Sequence, residues 1–356
     1  MSVLKGLRLV VAGAGAVGSV LALQLARAGA EVVLADPGAS GDNASGVAAG
    51  MLAPVFEALL DAPAAPLHPL LLQAQDAWAQ VLGPQSGLLD QSGAMFRAPS
   101  PDAGDRMAER AEHLGAELQR ITAEQAQAML PGLIGDGVWM FTPQDWRLDP
   151  RAALSALYEA FAAEGGRRID TGVLSFETGM ARLGDGSAML ADGVILATGP
   201  KAEGWIDAPA DRWLSPIKGQ ILRFAGAGPM VGPVVRAPGV YAVPGADGLV
   251  VGATMEEGIS DLTIDPHAVA RLQATASTLF PYLADLSPIA SAGIRASTPD
   301  GAPVVGAGGR PGLWVARGAR RNGWLLAPLI AEVMIERLAG GPSSIAAAAF
   351  DPARFQ

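Results

Sequence analysis

Apolar positions along the chain fall into unbroken runs, helical spacings and two-residue alternations, and each pattern predicts an element. Leu7 to Ala12 is an unbroken apolar run of strand length. Gly13, Gly15 and Gly18 follow at GxGxxG spacing, Ser19 to Ala28 reads as a helix that Gly29 stops, and Glu31 to Ala35 is a second strand ending at Asp36. Together they predict a βαβ nucleotide-binding unit. The first glycine permits the turn and the second lets a pyrophosphate approach the backbone. The third lets the helix pack on the strand, with its positive N-terminus facing the phosphates. Asp36 can accept hydrogen bonds from a ribose diol, and a carboxylate there disfavours a 2′-phosphate. FAD or NAD therefore fits better than NADP.

Pro37 to Pro54 consists of small residues without period, with Val47, Met51 and Leu52 among them, and reads as a wall against a flat cofactor. Helices are expected over Leu67 to Leu82 and Met107 to Glu117. Thr122 with Gln125 forms a capping box for a short helix ending near Pro131, and Asp149-Pro150 caps a longer one to Glu164. Gly93 to Ala98 reads as a strand. A strand pair is expected at Gly172 to Phe176 and Ala188 to Ala191, followed by a buried parallel-type strand in DGVILATGP, Asp192 to Pro200. Residues 216–255 then alternate as antiparallel strands, with a turn at Ala246-Asp247-Gly248. A helix capped by Asp265-Pro266 runs to about Leu279, and IASAGIRASTPDGAPVVGAG reads as strand, turn and strand. Gly306, Gly308 and Gly309 imitate a second nucleotide fingerprint, but Arg310-Pro311-Gly312 stands where a helix should open. A strand over Leu313 to Ala316 and a helix over Gly323 to Leu338, capped by Asn322, close the chain.

Composition narrows the function. Half of the 356 residues are hydrophobic and only 17% are charged, which excludes a disordered chain and implies large buried surfaces. A formal charge of −10 disfavours nucleic acid and anionic membranes as partners. With no cysteine, disulfides, a catalytic thiol, thiolate metal sites and a sulfur-tethered flavin are excluded. His68, His113 and His267 lack ligand-like spacing and read as surface or helix-end residues, so no metal is expected. The first strand starts within seven residues of Met1, and no apolar run approaches the length of a membrane span. A cytoplasmic protein is the expectation.

Seven segments in order resemble the D-amino acid oxidase and glycine oxidase family of FAD-dependent amine oxidases. They are GAGAVGSVLALQLARAGAEVVLAD, AAGMLAP, LATGP, PIKGQ, VYAVPGADGLVVGATMEEG, IRASTPDGAPVVG and RRNGWLLAP. The resemblance implies an α/β fold: a Rossmann-like FAD-binding domain with a second, mainly antiparallel-sheet substrate domain. The expected division is 1–85, 145–215 and 295–356 for FAD, with 86–144 and 216–294 for substrate. It implies non-covalent FAD held by Gly13, Gly15, Ala16, Val17, Gly18 and Asp36, by the loop Ala48, Ala49, Gly50, Met51 and Leu52, and by Val173, Thr198 and Gly199. The closing segment Arg321, Asn322, Gly323 and Trp324 completes the set, with Arg321 beside the flavin ring and Arg320 or Arg317 as substitutes in that role.

By the same resemblance Arg295 grips the substrate α-carboxylate, Tyr241 faces the carboxylate or amine, and Met255 lines the pocket. A guanidinium suits that task because its planar fork matches a carboxylate and stays charged. The implied reaction is oxidative deamination of glycine, sarcosine or small D-amino acids by hydride transfer to the flavin. Molecular oxygen or another acceptor then takes the electrons, and the thiazole precursor of thiamine is one destination. A dehydrogenase with a non-oxygen acceptor, an NAD-linked reductase sharing the first 36 residues, and a non-catalytic flavin-binding protein remain alternatives; the oligomeric state, a homo-oligomer included, is open. The chain departs from the family pattern at Gly245, Ala296 and Ala319, where relatives carry a basic residue, a proline and a histidine. Arg236 and Arg317 read as surface residues, with extra pocket charges as the alternative.

Overall fold

Six strands form the sheet around which the opening segment is built, in the order Val304–Ala307, Leu313–Arg317, Gly193–Leu196, Arg8–Ala12, Glu31–Ala35 and Arg167–Ile169. All pair in parallel except Val304–Ala307, which runs against its neighbour. This computed structural model describes residues 3–83, 87–177, 179–200, 212–341 and 343–355. The unbroken apolar runs of the central strands follow from burial on both faces. Leu9, Val11 and Ile195 face a layer made by the helices Ala16–Arg27, His68–Leu82, Pro150–Ala163 and Gly323–Ala339. Val10, Val194, Leu196 and Val315 face the opposite layer, a small antiparallel sheet of Val173–Glu177, Met180–Leu183 and Ala188–Leu190. Its middle strand was not expected from the sequence, because four residues are too few to show a period.

A nine-stranded sheet gathers two distant parts of the chain. Glu256–Glu257, Ser215–Phe224, Gly248–Gly252, Val240–Gly245, Val234–Ala237, Ala94–Ala98, Val138–Thr142 and Gln119–Ile121 succeed one another, and Ile289–Ser297 pairs the free side of Ser215–Phe224. Its outer core contains Leu222, Val235, Leu249 and Val251 under the helix Pro266–Ser277. The strand Ile289–Ser297 runs unbroken through residues 294 and 295 and keeps its register to the Ser297–Ser215 pair. The crossing between the two sheets therefore comes at the turn after Ser297 rather than at 294/295, and the division expected at 85/86 lies outside the described residues.

Helix starts follow local chemistry. The helix expected from Met107 begins at Pro101 instead, because Ser100 accepts a hydrogen bond from the Ala103 N–H and a proline at the first helical position needs no donor. Thr122 and Gln125 form the expected reciprocal capping box. In the helix Gly323–Ala339, Pro328 lacks the N–H that would bond the Trp324 carbonyl, and the Trp78 indole donates to that oxygen at 3.0 Å. Among the described residues no helix is long and apolar enough to cross a membrane.

Candidate active site

A cavity of about 600 Å³ begins at Asp36, passes the glycine turn and ends against Arg317–Arg321 and Trp324. The glycines make it possible. Gly13 has φ +104°, and a Cβ there would meet the Ala197 carbonyl oxygen at 2.6 Å, so turn and LATG strand touch directly. A Cβ on Gly18 would lie 1.8 Å from the Gly13 oxygen, which places the third glycine in helix packing. Asp36 faces the cavity, and its carboxylate accepts from the Ala14 N–H at 2.6 Å and the Gly38 N–H at 2.7 Å. On the other wall Asn43 caps the helix Ala44–Val47, and the Ser45 hydroxyl accepts from the Ala16 N–H at 2.9 Å. Trp324 donates to the Ser45 carbonyl, and Arg223 donates to the Val47 carbonyl from the nine-stranded sheet. The elongated groove thus has an acid at one end, a glycine turn in the middle and small residues along one wall. Those features fit an extended dinucleotide such as FAD.

A second cavity, of about 440 Å³, adjoins the first, and Ala44, Val47, Ala48, Gly293, Arg295, Arg321 and Trp324 line both. Its floor is one face of the nine-stranded sheet. Phe96, Arg236, Tyr241, Gly252 and Ile221 stand opposite one another on successive strands, and Gly219–Gly293 and Ile217–Arg295 follow on the same face. Two glycines thin this floor so that long side chains can lie flat. A Cβ on Gly219 would come within 2.3 Å of the Arg295 guanidinium, and one on Gly252 within 2.2 Å of the Tyr241 hydroxyl. Arg295 donates to the Met255 sulfur at 3.3 Å and forms no ion pair with a described carboxylate. Burial lowers its pKa, against the opposing influence of Tyr241, yet a guanidinium stays charged. Burial raises the Tyr241 pKa, so its hydroxyl stays protonated and able to donate.

A charged network lines one wall of this cavity. Glu57, 4% exposed, sits on the helix Pro54–Leu60 and pairs with Arg236 at 2.9 Å and with Arg321 at 2.9 Å. Burial pushes Glu57 up, but Arg321, Arg236 and Arg320 together outweigh it and hold the carboxyl below its usual range. Arg320, at φ +51°, is kept in that strained conformation by its ion pair with Asp61 and by its N–H bond to the Ala296 carbonyl. The helix carrying Glu57 is capped from far along the chain, where Asp145 accepts from the Val55 and Phe56 N–H groups at 2.8 and 3.1 Å. Burial raises the Asp145 pKa to about 7, against the pull of Arg236 and the two N–H bonds. A carboxyl whose folded pKa exceeds its unfolded one binds more protons when folded, so stability falls as pH rises from about 4 to 7. The thermal midpoint of Asp145→Asn, measured across that range, is expected to lack this slope; parallel wild-type and variant curves would contradict the assignment.

The residues expected at the site divide clearly. Gly13, Gly15, Ala16, Val17, Asp36, Thr198, Gly199 and Gly323 line the first cavity, and Ala49, Gly50, Met51, Tyr241, Met255 and Asn322 the second. Gly18, Leu52 and Val173 line neither cavity. Leu52 is buried with its carbonyl accepting from Gln75, and Val173 packs in the core under the small sheet. Two expectations are corrected. Arg236 and Arg317 are buried, not surface residues: Arg236 faces the second cavity against Glu57, and Arg317 reaches the Gly199 carbonyl at 2.8 Å in the first. His68 is likewise buried, at the start of its helix. Asn322 precedes the last long helix as expected, but its side chain makes no capping bond. Among the described residues no acid and histidine cluster could hold a metal. Glu57, Asp145, Asn43 and Ser45 escaped sequence reading; only the Asn-Ala-Ser-Gly start of a short helix carried a local signal.

Comparison with known proteins agrees with this fold. The DAO family model, FAD dependent oxidoreductase, matches residues 8–337. A glycine oxidase from Pseudomonas aeruginosa is 30% identical across 97% of this chain and 98% of its own. The bifunctional protein ThiO/ThiG of Synechocystis is 32% identical over 88% of this chain and 48% of that protein. The crystal structure of glycine oxidase from Geobacillus kaustophilus superposes with a TM-score of 0.82 and 27% identity, covering 98% of both chains.

Proposed function

The chain belongs to the DAO family of FAD-dependent oxidoreductases, and on that premise we propose that it oxidises glycine, sarcosine or small D-amino acids with molecular oxygen. The observation that carries the reading is a guanidinium without a carboxylate partner among the described residues, Arg295, held where the two cavities meet. FAD bound in the first cavity would supply the hydride acceptor, with oxygen as the final acceptor of the electrons. The net change is amino acid, oxygen and water to 2-oxo acid, ammonia and hydrogen peroxide (for sarcosine, methylamine leaves in place of ammonia).

This chain's residues supply binding and orientation. Arg295 takes the substrate carboxylate in a two-pronged bond, which fixes the direction of the Cα–H. Tyr241, protonated, donates toward the same carboxylate or orients the amine, and Met255 holds the outer side of the guanidinium. Gly13, Gly15, Ala16, Val17 and Asp36 hold the nucleotide end of FAD. Arg321 and the N-terminus of the helix Gly323–Ala339 would set positive charge against the cofactor's end nearest the substrate cavity and so favour its reduced, more negative form. The segments around the six-stranded sheet hold the cofactor in this proposal, and the nine-stranded sheet holds the substrate. The likeness to a ThiO/ThiG protein supports a role in making the thiazole precursor of thiamine.

Purified protein is expected to be yellow, to lose its colour-bearing group on denaturation, and to consume oxygen with equimolar peroxide when given glycine or sarcosine. Oxidation that proceeds only with a dye or quinone would replace oxygen as the acceptor. Absence of flavin bands after supplementation with FAD would overturn the reading.

A further inference from the structure

The second cavity, of about 440 Å³, would be shared, because Ala49, Gly50, Met51 and Asn322 on its wall belong to the expected cofactor set, and the part beside Arg236 and Tyr241 is left for substrate. Three guanidiniums, Arg236, Arg295 and Arg321, line it against a single carboxylate, Glu57. Arg321 also lines the first cavity, where its charge is assigned to the cofactor, so a second subsite rests on the donor geometry of Arg236 rather than on the charge count.

Arg236 is placed to receive a second carboxylate. It is 3% exposed yet lines the cavity, beside Tyr241 in the cross-strand row, and lies four strands across and four residues along from Arg295, roughly 23 Å at the backbone. The two long side chains rise from the same face of the floor. One amino group of Arg236 is committed to Glu57, and the other meets only the Met51 sulfur, at 3.4 Å. Its buried Nε has no hydrogen-bond partner. The edge formed by Nε and that second amino group has the two-donor geometry that a carboxylate matches, and a buried donor without an acceptor is costly. The flexible Met51 side chain must move aside for a ligand to reach that edge. Phe56 lies 5.9 Å from the guanidinium and helps fix its plane.

Resting on the oxidase reading above, we propose that Arg236 forms a second anion subsite and that the preferred substrates are amino acids carrying a second carboxylate. That carboxylate arrives either on the amine substituent or on the side chain. Steady-state kcat/KM of the FAD-loaded protein for iminodiacetate against sarcosine, and for D-aspartate against D-asparagine, tests both routes. The wild-type ratio is expected to exceed one for at least one pair, and Arg236→Met is expected to lower that ratio tenfold or more. Arg236→Lys keeps a cation for Glu57 but loses the paired donors, and it is expected to lower the ratio at least threefold even if the methionine variant does not fold. Titration with malonate and acetate, followed by perturbation of the flavin absorbance, reads binding without turnover, and the malonate preference is expected to fall in the same variants. Ratios that both variants leave unchanged, or a wild type that oxidises sarcosine and rejects every dicarboxylate, would overturn the subsite while leaving the oxidase reading intact. If no amine of either class reduces the flavin, both fall.

Discussion

Replacing Arg295 by alanine is expected to lower kcat/KM for a small amino acid by about 30-fold to several thousand-fold, since truncating one partner of a buried, hydrogen-bonded charge pair costs about 2–5 kcal/mol. The size follows from the setting. Arg295 has no competing carboxylate among the described residues, and burial already disfavours its charged form, so a bound carboxylate recovers solvation that the cavity withholds. Arg295→Lys is expected to recover only part of the loss, because an ammonium offers a point charge where the site is shaped for a planar fork lying on Gly219. Gly219→Ala displaces the guanidinium without removing it and is expected to act in the same direction. Steady-state kinetics on the three variants checks this, and an alanine variant within threefold of wild type would remove Arg295 from substrate binding.

The second large effect is expected at Glu57, whose carboxylate sits between the buried Arg236 and the half-buried Arg321. The amide of Glu57→Gln keeps the shape but leaves Arg236 and Arg321 without counter-charge, and uncompensated buried charge costs about 3–5 kcal/mol. Urea unfolding of the FAD-loaded protein is expected to show a loss of that order, with weakened FAD retention because Arg321 also lines the cofactor cavity. An unchanged midpoint would show that the two guanidiniums are neutralised elsewhere. Asp61→Asn is a useful contrast: it frees Arg320, which is outside the second cavity, and the expected loss is smaller.

What the sequence revealed depended on distance along the chain. The opening βαβ unit was legible because its strand, glycine turn, helix and terminal acid lie within thirty residues, although of its three fingerprint glycines only Gly18 is demanded from within, Gly13 being demanded by Ala197 and Gly15 by Ser45. Capping motifs such as Thr122 with Gln125 were legible for the same reason. Arg295 and Tyr241 were expected at the site through a resemblance; on pattern alone they read as a surface arginine on a strand edge and as sheet packing. Glu57 was hidden because its partners are 179 and 264 residues away, and Asp145 because it caps a helix 90 residues earlier. Arg236 was misread for a related reason. Its strand, Val-Val-Arg-Ala, gives no hint that the face bearing the arginine looks into a cavity rather than water. Gly219 and Gly252 were the missed local signal, since glycine inside a strand marks a close approach, here by the very side chains that form the site.

Anaerobic mixing of the purified, FAD-loaded protein with glycine, sarcosine or D-alanine, followed at the flavin absorption band, tests the central claim most directly. Saturable bleaching is expected in the wild type, with the half-saturating concentration raised by about 30-fold or more in Arg295→Ala if truncation of that charge pair costs at least about 2 kcal/mol. A flavin that no such amine reduces, or one that both proteins reduce at the same concentration, would contradict it.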